Sequence, residues 1–214
     1  MMIQMIFRRH YFKIMLYVEK YSRKSFPEDS IVIDTTSRSN NWTKGLSPFI
    51  LPGGHLYGKY YAKNVENAWQ ASKVYLDFVD VNGDPKSEYF EWAEKIWNSN
   101  YAYRYPMGKG AVPEYSWWDG EKLSYVEARK KIYIPIYQRN IIQSPAFRRL
   151  FELYKIEERD IYLIDFDGYN HVKLNKSIDE VINDPKEKMG HAFVIYNLLT
   201  KLFKKAEVKN KTLF

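Results

Sequence analysis

The sequence predicts one α+β domain that is predominantly helical and carries a small β-sheet. Three observations lead to this prediction. The chain has 214 residues, of which 45% are hydrophobic and 17% aromatic, enough for one sizeable core. Short β-branched runs lie near the start of the chain and again after residue 160, and the stretch between them shows helix caps and helical spacing of apolar residues. No internal repeat or low-complexity linker divides the chain.

The first elements are two strands followed by a long loop. Ile14–Tyr21 and Ile31–Thr35 are β-branched and aromatic, and a Ser-Phe-Pro-Glu-Asp turn separates them. The next segment, Ser37–Tyr61, is rich in Gly, Pro, Asn and Ser, with aromatic residues among them. Loops of this length are typically functional or disordered.

Caps and prolines set the boundaries of the next helices. Asn64–Val79 reads as a helix capped by its first residue, and Asp84–Trp97 reads as a second helix because Asp-Pro at its start suits a helical first turn. Asn98–Gly120 is expected to be an aromatic loop broken by Gly and Pro.

Two further helices are expected in the middle of the chain. Glu121–Ile142 has helical spacing, and Pro135 inside it predicts a kink. Ser144-Pro145 is typical of a helix start, which predicts a short helix to about Tyr154.

The C-terminal third predicts a strand and two helices. Ile161–Phe166 reads as a short buried strand that ends in the turn Asp167-Gly168. Ser177–Glu180 has the spacing of a capping box, which predicts a short helix. Met189–Lys205 is amphipathic and is expected to close the fold as a helix.

The positive charge of the chain is concentrated at its two ends. The net charge is +7, of which residues 1–24 carry +5 and residues 201–214 carry +4, so the rest sums to −2. We expect a basic leader over residues 1–24, which contains the first strand and alternative start methionines, a single domain over 25–205 and a basic tail over 206–214. Solvated ends are the simplest interpretation. A weak nucleic-acid contact through these ends is the alternative.

Composition excludes several classes of site. Because the chain contains no cysteine, it has no disulfide, no zinc–thiolate site and no cysteine nucleophile, which fits a reducing compartment. Four histidines lie far apart, so we expect no metal site and no cofactor. No stretch approaches the ~20 apolar residues of a membrane helix. We therefore expect a cytoplasmic protein, in a host cell if the source is viral, with no membrane contact.

One predicted helix combines an acid, an amide and an amine. Glu66, Gln70 and Lys73 have i, i+4, i+7 spacing, which places them on one helical stripe beside the buried one. At the edge of a core, burial raises the pKa of a carboxyl group and lowers that of an amine. A solvated helix face is the alternative. The buried stripe is expected to contain Val65, Ala68, Trp69, Ser72 and Leu76.

This helix resembles the hallmark helix, E-H-x-x-Q-x-x-K, of the NADAR superfamily of N-glycosidases, with Asn67 in place of the histidine. Other segments resemble motifs of that family in the same order over about residues 46–202. They are Leu46–Phe49, Met107–Lys109, Trp118-Asp119, Ser144–Leu150, Asp167–Asn170 and Met189–His191. Lys109 replaces an arginine, Glu187 replaces the closing asparagine, and a glycine run is absent, as in a divergent branch.

The resemblance implies a NADAR-like fold and cleavage of the ribose–base N-glycosidic bond of an ADP-ribosylated base or a related nucleotide. It also implies a link with ADP-ribose or riboflavin-pathway chemistry. Lys73 would attack the anomeric carbon, Glu66 would orient the ribose or move a proton, and Asp167 would steer the base or activate water. The residues expected to bind substrate are Gln70, Trp69, Asn67, Gly108, Lys109, Trp118 and Asn170.

Purely structural interpretations remain open for the same residues. Lys73 would cover Trp69 with its stem, Asp167 would only begin an Asp-Gly turn, and Lys109 would lie in a plain turn instead of contacting phosphate. Trp118 is expected in the core or stacked on a base, and His191 is expected to be structural. At the level of the whole protein, a catalytically silent nucleotide-binding module is the alternative to an enzyme. The sequence leaves the oligomeric state open.

Overall fold

The computed structural model of the protein describes residues 15–22 and 25–211, and only the backbone of residues 206–211. Most of the basic leader and the last three residues lie outside this part of the chain, so the nucleic-acid contact of the ends stays a prediction. The strands are β1 Leu16–Lys20, β2 Ile31–Asp34, β3 Gly54–His55, β4 Tyr61–Ala62, β5 Lys73–Val74, β6 Tyr115–Trp118, β7 Glu121–Leu123 and β8 Ile161–Asp165. The helices are α1 Val65–Gln70, α2 Ser87–Trp97, α3 Tyr125–Ala128, α4 Ile134–Ile141, α5 Pro145–Ile156, α6 Ile178–Asn183 and α7 His191–Lys211.

A three-stranded parallel sheet, in the order β1-β8-β2, organises the domain. The middle strand comes from late in the chain, and its apolar residues Ile161, Leu163 and Ile164 are buried, as a central parallel strand requires. Helix α7 packs against β1 and β8. Because the strands are parallel, their carboxyl ends share one edge, and the residues that follow β2 and β8 meet there. The mixture of helix and sheet confirms the predicted α+β class.

The remaining strands form a β3–β4 hairpin and an antiparallel β5-β6-β7 sheet. Strands β6 and β7 are joined by Asp119 and Gly120, whose φ angles of 47° and 86° are both positive, as the commonest two-residue hairpin turn requires. The prediction of a loop up to Gly120 and of a helix from Glu121 was therefore wrong. The Asp-Gly pair was the available indication of a hairpin.

Helix α1 is much shorter than predicted. It ends at Gln70, because Lys73 and Val74 pair with Ser116 and Tyr115 of β6 instead of continuing the helix. Sheet pairing outweighs the helical propensity of this stretch. Leu76, which helical spacing placed on the buried stripe, is 71% exposed.

The second and third helices also begin later than predicted. Pro85 forms a β-bridge with Val79, and α2 begins at Ser87. After β7, Ser124 caps α3 through a reciprocal capping box with Glu127. The helix then widens into a π-helical turn, Arg129–Tyr133, just before Pro135, which lacks the N–H that a regular helix needs.

Several local predictions are confirmed. Ser144 Oγ accepts from Phe147 N–H at 3.0 Å and caps α5, and Ser177 forms a capping box that begins α6. Strand β8 lies where predicted, and the closing helix begins at His191, two residues later than predicted. In the described part of the chain, no helix has the length and apolarity needed to cross a membrane.

Candidate active site

A cavity of about 540 Å³ lies at the carboxyl edge of the parallel sheet. Its walls come from the residues after β2, from α1 and β5, from the residues after β8, and from loops 104–113 and 185–191. The carboxyl ends of parallel strands are where ligands bind in open α/β sheets, because the connecting loops diverge there. The three residues predicted to be catalytic, Glu66, Lys73 and Asp167, all line this cavity.

Gln70 connects the acid and the amine of the cavity wall. Its side chain donates through Nε2 to Glu66 Oε1 at 2.8 Å and accepts through Oε1 from Lys73 Nζ at 2.7 Å. This amide orientation suits the charged forms, because a carboxylate only accepts and an ammonium only donates. Lys73 lies on a strand and not on the predicted helix, yet its side chain returns to the end of α1.

Burial shifts the pKa values of the acid and the amine towards neutral pH. Glu66 is only 6% exposed, and burial raises its pKa to about 7, against the lowering effects of Gln70, Lys73, Arg104 and His191. Burial lowers the pKa of Lys73 to about 8, and Lys188 adds to this effect while Glu66 and Asp167 oppose it. Both groups therefore exchange protons readily in the physiological range.

Trp69 forms the apolar surface beside the amine. Lys73 Nζ lies 4.9 Å from the Trp69 ring centroid, and Trp69 packs in turn on Tyr133 with 5.3 Å between ring centroids. Trp69 is half-buried and lines the cavity with Phe49. The amine itself thus lies against the indole, and Lys73 lines the cavity with it.

A buried carboxylate–histidine pair forms part of the same wall. His191 Nδ1 lies 3.0 Å from Asp165 Oδ2, and the Ala192 N–H donates to the same oxygen at 3.0 Å. Gly190 makes room for this carboxylate, since a Cβ there would overlap it. Asp165 thus joins the end of β8 to the start of α7.

The partners of His191 fix its charge. Nε2 lies 2.8 Å from the carbonyl oxygen of Thr35, which can only accept, and Nδ1 faces the Asp165 carboxylate, which also accepts. Both ring nitrogens therefore donate, and the ring is an imidazolium. Burial acts to lower the pKa of His191, but Asp165 and the Thr35 carbonyl outweigh it, so the pKa is raised above 6.5. Burial acts to raise the pKa of Asp165, but His191 and the hydrogen bonds of Ala192 and Asp167 lower it overall.

Asn67 lies behind the cavity wall and binds backbone. Its Nδ2 donates to the carbonyl oxygens of Ile96, Ser99 and Tyr101 at 2.8 to 3.1 Å, and its Oδ1 accepts from Tyr103 N–H at 2.9 Å. The side chain is completely buried and its hydrogen-bonding capacity is used. The structure therefore makes it a support of the loop after α2, and it does not line the cavity.

The other predicted binding residues divide into two groups. Gln70, Trp69 and Gly108 line the cavity, whereas Lys109, Trp118 and Asn170 do not. Trp118 packs against Tyr57 in the core, with 4.8 Å between ring centroids. Asn170 donates to Glu19 Oε1 at 2.8 Å. Lys109 is exposed on its turn.

A family model described as "Family of unknown function (DUF6939)" matches residues 17–195. The chain belongs to this family. The match runs from β1 to the first turn of α7 and includes all cavity-lining residues. No curated protein and no solved structure matches the chain.

Sequence reasoning missed several residues that line the cavity of this DUF6939 protein. They are Arg38, Arg104, Arg129, Tyr133 and Asp165. Asp165 offered one indication, because a carboxylate at the end of a buried strand needs a partner. The arginines offered none, since they come together only through the fold.

The geometry of this DUF6939 cavity suits acid–base and nucleophilic chemistry. Glu66 can give or take a proton, Lys73 can serve as an amine nucleophile, and Asp167 is a second carboxylate in the same wall. Among the described residues, no group of three or more His, Asp or Glu side chains is placed to hold a metal ion.

Proposed function

We propose that this protein is an N-glycosidase that cleaves the ribose–base N-glycosidic bond of an ADP-ribosylated base or a related nucleotide. The observation that carries the proposal is the hydrogen-bonded chain Glu66–Gln70–Lys73 in the wall of a cavity of about 540 Å³. The pKa of Glu66 is about 7 and that of Lys73 is about 8. The resemblance to NADAR proteins supplies the bond and the substrate class. We also propose that the protein is cytoplasmic.

The first half of the reaction breaks the bond to the base. Neutral Lys73 attacks the anomeric carbon with its lone pair, and the electron pair of the C1′–N bond passes to the base nitrogen. Protonated Glu66 gives its proton to that nitrogen, so the base leaves neutral. The sugar remains on Lys73 as a cationic amine adduct, and Glu66 is left as a carboxylate.

The second half releases the sugar. A water oxygen attacks the anomeric carbon, Lys73 leaves with the electron pair of its C–N bond, and the water proton passes to the Glu66 carboxylate. Lys73 is neutral again and Glu66 is protonated, so the enzyme is restored. The net change is one water consumed for one glycosidic bond cleaved.

The rest of the wall supports these steps. Gln70 hydrogen-bonds both the acid and the amine, and Asp167, which lines the same cavity, steers the base or the water in the proposed reaction. The indole of Trp69 offers an apolar face for a base or ribose. Holding substrate against groups that are already aligned removes several kcal/mol from an activation barrier.

Release of free base tests the proposal. The protein is incubated with ADP-ribosylated guanine, and liberated guanine is measured by chromatography. We expect release by the parent protein, a loss of at least about 100-fold in K73A and E66Q, and parental rates in K63A, an exposed lysine outside the cavity wall. Absence of release from ADP-ribosylated bases and related nucleotides, while the folded protein binds ADP-ribose, would contradict the enzymatic proposal.

A nucleotide-binding module without turnover is the second candidate, and Asn67 favours it. The NADAR pattern has a histidine at this position, whereas Asn67 carries no exchangeable charge and its side chain is fully used on backbone groups. This candidate predicts ADP-ribose binding without base release, and unchanged affinity in K73A.

A further inference from the structure

The charges of the cavity wall are unevenly paired. Six Lys or Arg and four Asp or Glu residues line the cavity. The deep charges balance one another: Glu66 and Lys73 are joined through Gln70, and Asp165 contacts His191. The arginines of the wall lack such a direct contact, although Arg104 lowers the pKa of Glu66 through its charge. Among the described residues, none of them forms an ion pair with a carboxylate.

Two of these arginines share one aromatic ring. The guanidinium carbon of Arg38 lies 5.1 Å from the Phe166 ring centroid, and that of Arg104 lies 4.7 Å from it. Because both contact the same ring, their guanidinium carbons lie no more than about 10 Å apart, and both line the cavity beside the carboxyl end of β8. Two like charges in one cavity wall, neither of them in an ion pair, favour binding of an anion.

Hydrogen bonds of the chain after β2 place Arg38. Its backbone N–H donates to Thr36 Oγ1 at 3.2 Å, and Thr36 N–H donates to Asp34 Oδ1 at 2.9 Å. The residue is thus fixed at the backbone while its side chain is exposed and reaches across Phe166.

Asn67 places Arg104. The loop that carries Arg104 is bound to Asn67 up to Tyr103, the residue directly before it. Arg104 is half-buried and contacts the rings of both Phe166 and Tyr105. Its guanidinium is therefore arranged before any ligand binds, which lowers the entropy lost on binding.

We propose that Arg38 and Arg104 form a clamp, centred on Phe166, for a phosphoryl group of the substrate. This inference rests on the proposed function and names the residues that select a phosphorylated ribose. Guanidinium groups suit phosphate because their planar N–H forks bind two oxygens at once. Lys109, the phosphate contact predicted from sequence, lies outside the cavity wall.

Arg129 adds to the positive potential of the cavity. It is 2% exposed, and its guanidinium donates to the carbonyl oxygens of Val181, Ile182, Asp184 and Glu187 at 2.9 to 3.0 Å. Carbonyl dipoles stabilise this cation without cancelling its full charge. An anion in the cavity is therefore attracted by a buried charge as well as by the clamp.

Binding of inorganic pyrophosphate and of ADP-ribose tests the clamp by calorimetry, with adenosine as the uncharged probe. We expect both anions to bind, and R38A and R104A each to weaken binding by about tenfold or more. K109A and K63A serve as matched removals of an exposed cation and should bind as the parent protein does. R38K and R104K should recover only part of the affinity, because an ammonium lacks the planar fork.

Three results would overturn the clamp: parental affinity in R38A and R104A, loss of affinity in K109A, or equal affinity for adenosine and ADP-ribose. Because Arg38 is exposed, R38A keeps the test valid even where R104A folds poorly. Pyrophosphate binding requires no bond cleavage, so the two proposals fail separately. If only the proposed function is wrong, pyrophosphate affinity still depends on Arg38. If only the clamp is wrong, R38A still releases base at the parental rate.

Discussion

Gly190 lies so close to Asp165 that a Cβ on it would overlap both carboxylate oxygens. The contact explains why the turn before α7 carries glycine, although the φ of Gly190 is not in the left-handed region. The carboxylate needs this space to reach the His191 ring and the Ala192 N–H at once.

G190A is therefore expected to displace Asp165 and to lower the free energy of unfolding by roughly 3 kcal/mol, the cost of disturbing a buried ion pair. Urea unfolding measures the change. G58A is the control, because Gly58 has a φ of 49° and an added Cβ there would meet no atom within 4 Å, so its substitution reports backbone strain alone. A G190A protein as stable as the parent would contradict the packing argument.

The Asp165–His191 pair predicts a defined pH window of stability. The folded-state pKa of His191 is raised, so its contribution is complete below 6.5 and is lost as pH rises through the raised value. The folded-state pKa of Asp165 is lowered, so its contribution is complete above 3.8 and is lost as pH falls through the lowered value. The stability difference between the parent protein and H191Q should shrink at alkaline pH. A difference that grows from pH 6 to pH 9 would mean that the histidine is neutral in the fold.

Glu66, whose pKa is also raised, predicts a loss of stability in the same direction as His191 as pH rises. Its folded-state pKa is about 7 against 4.5 when unfolded, so its ionisation costs stability as pH rises between these values. Over the full interval between these two pKa values, ionisation of Glu66 lowers the free energy of unfolding by roughly 3 kcal/mol. E66Q should gain stability relative to the parent protein from pH 4.5 to pH 7, in urea unfolding at several pH values. E91Q, an exposed carboxylate on α2, controls for the loss of one charge.

N67A is expected to release the loop that carries Arg104. Removing the four hydrogen bonds of this side chain should cost roughly 3 kcal/mol, and hydrogen exchange should rise over residues 99–105. Unchanged exchange in this loop would show that other contacts hold it in place.

Local sequence patterns predicted the elements that local forces determine. Ser144 and Ser177 were recognised as helix starts because their caps bind N–H groups within the next turn. The end of α1 could not be derived in this way. Lys73 and Val74, which follow shortly after it, pair with residues of β6 about 40 positions away, and helical spacing alone gives no information on that pairing.

The candidate site was likewise predictable only where contacts arise within one segment of the chain. Glu66 and Gln70 lie one turn apart on a helix, and their contact follows from spacing. Asp165 and His191 meet only because β8 and α7 pack side by side, and Arg38 reaches the Phe166 ring only because β2 pairs with β8. Such contacts depend on topology, which spacing within one segment does not contain.

The proposed reaction predicts a narrow pH optimum. It requires Glu66 protonated and Lys73 neutral, so the rate should peak between the two pKa values, near pH 7.5, and fall on both sides. With an acid near 7 and an amine near 8, both conditions coincide in about one molecule in twenty at the optimum. A rate that rises steadily up to pH 10 would show that no protonated carboxyl group takes part.

The proposed reaction depends on a covalent bond between Lys73 and the sugar, which borohydride trapping can detect. The amine adduct is isomeric with an open-chain imine, which borohydride reduces to a stable C–N bond. After reduction during turnover of ADP-ribosylated guanine, mass spectrometry of peptides should show the sugar fragment attached to Lys73, and K73A should show no attachment anywhere. Base release at the full rate with no trapped sugar on Lys73, or trapping that persists in K73A, would show that Lys73 is not the nucleophile.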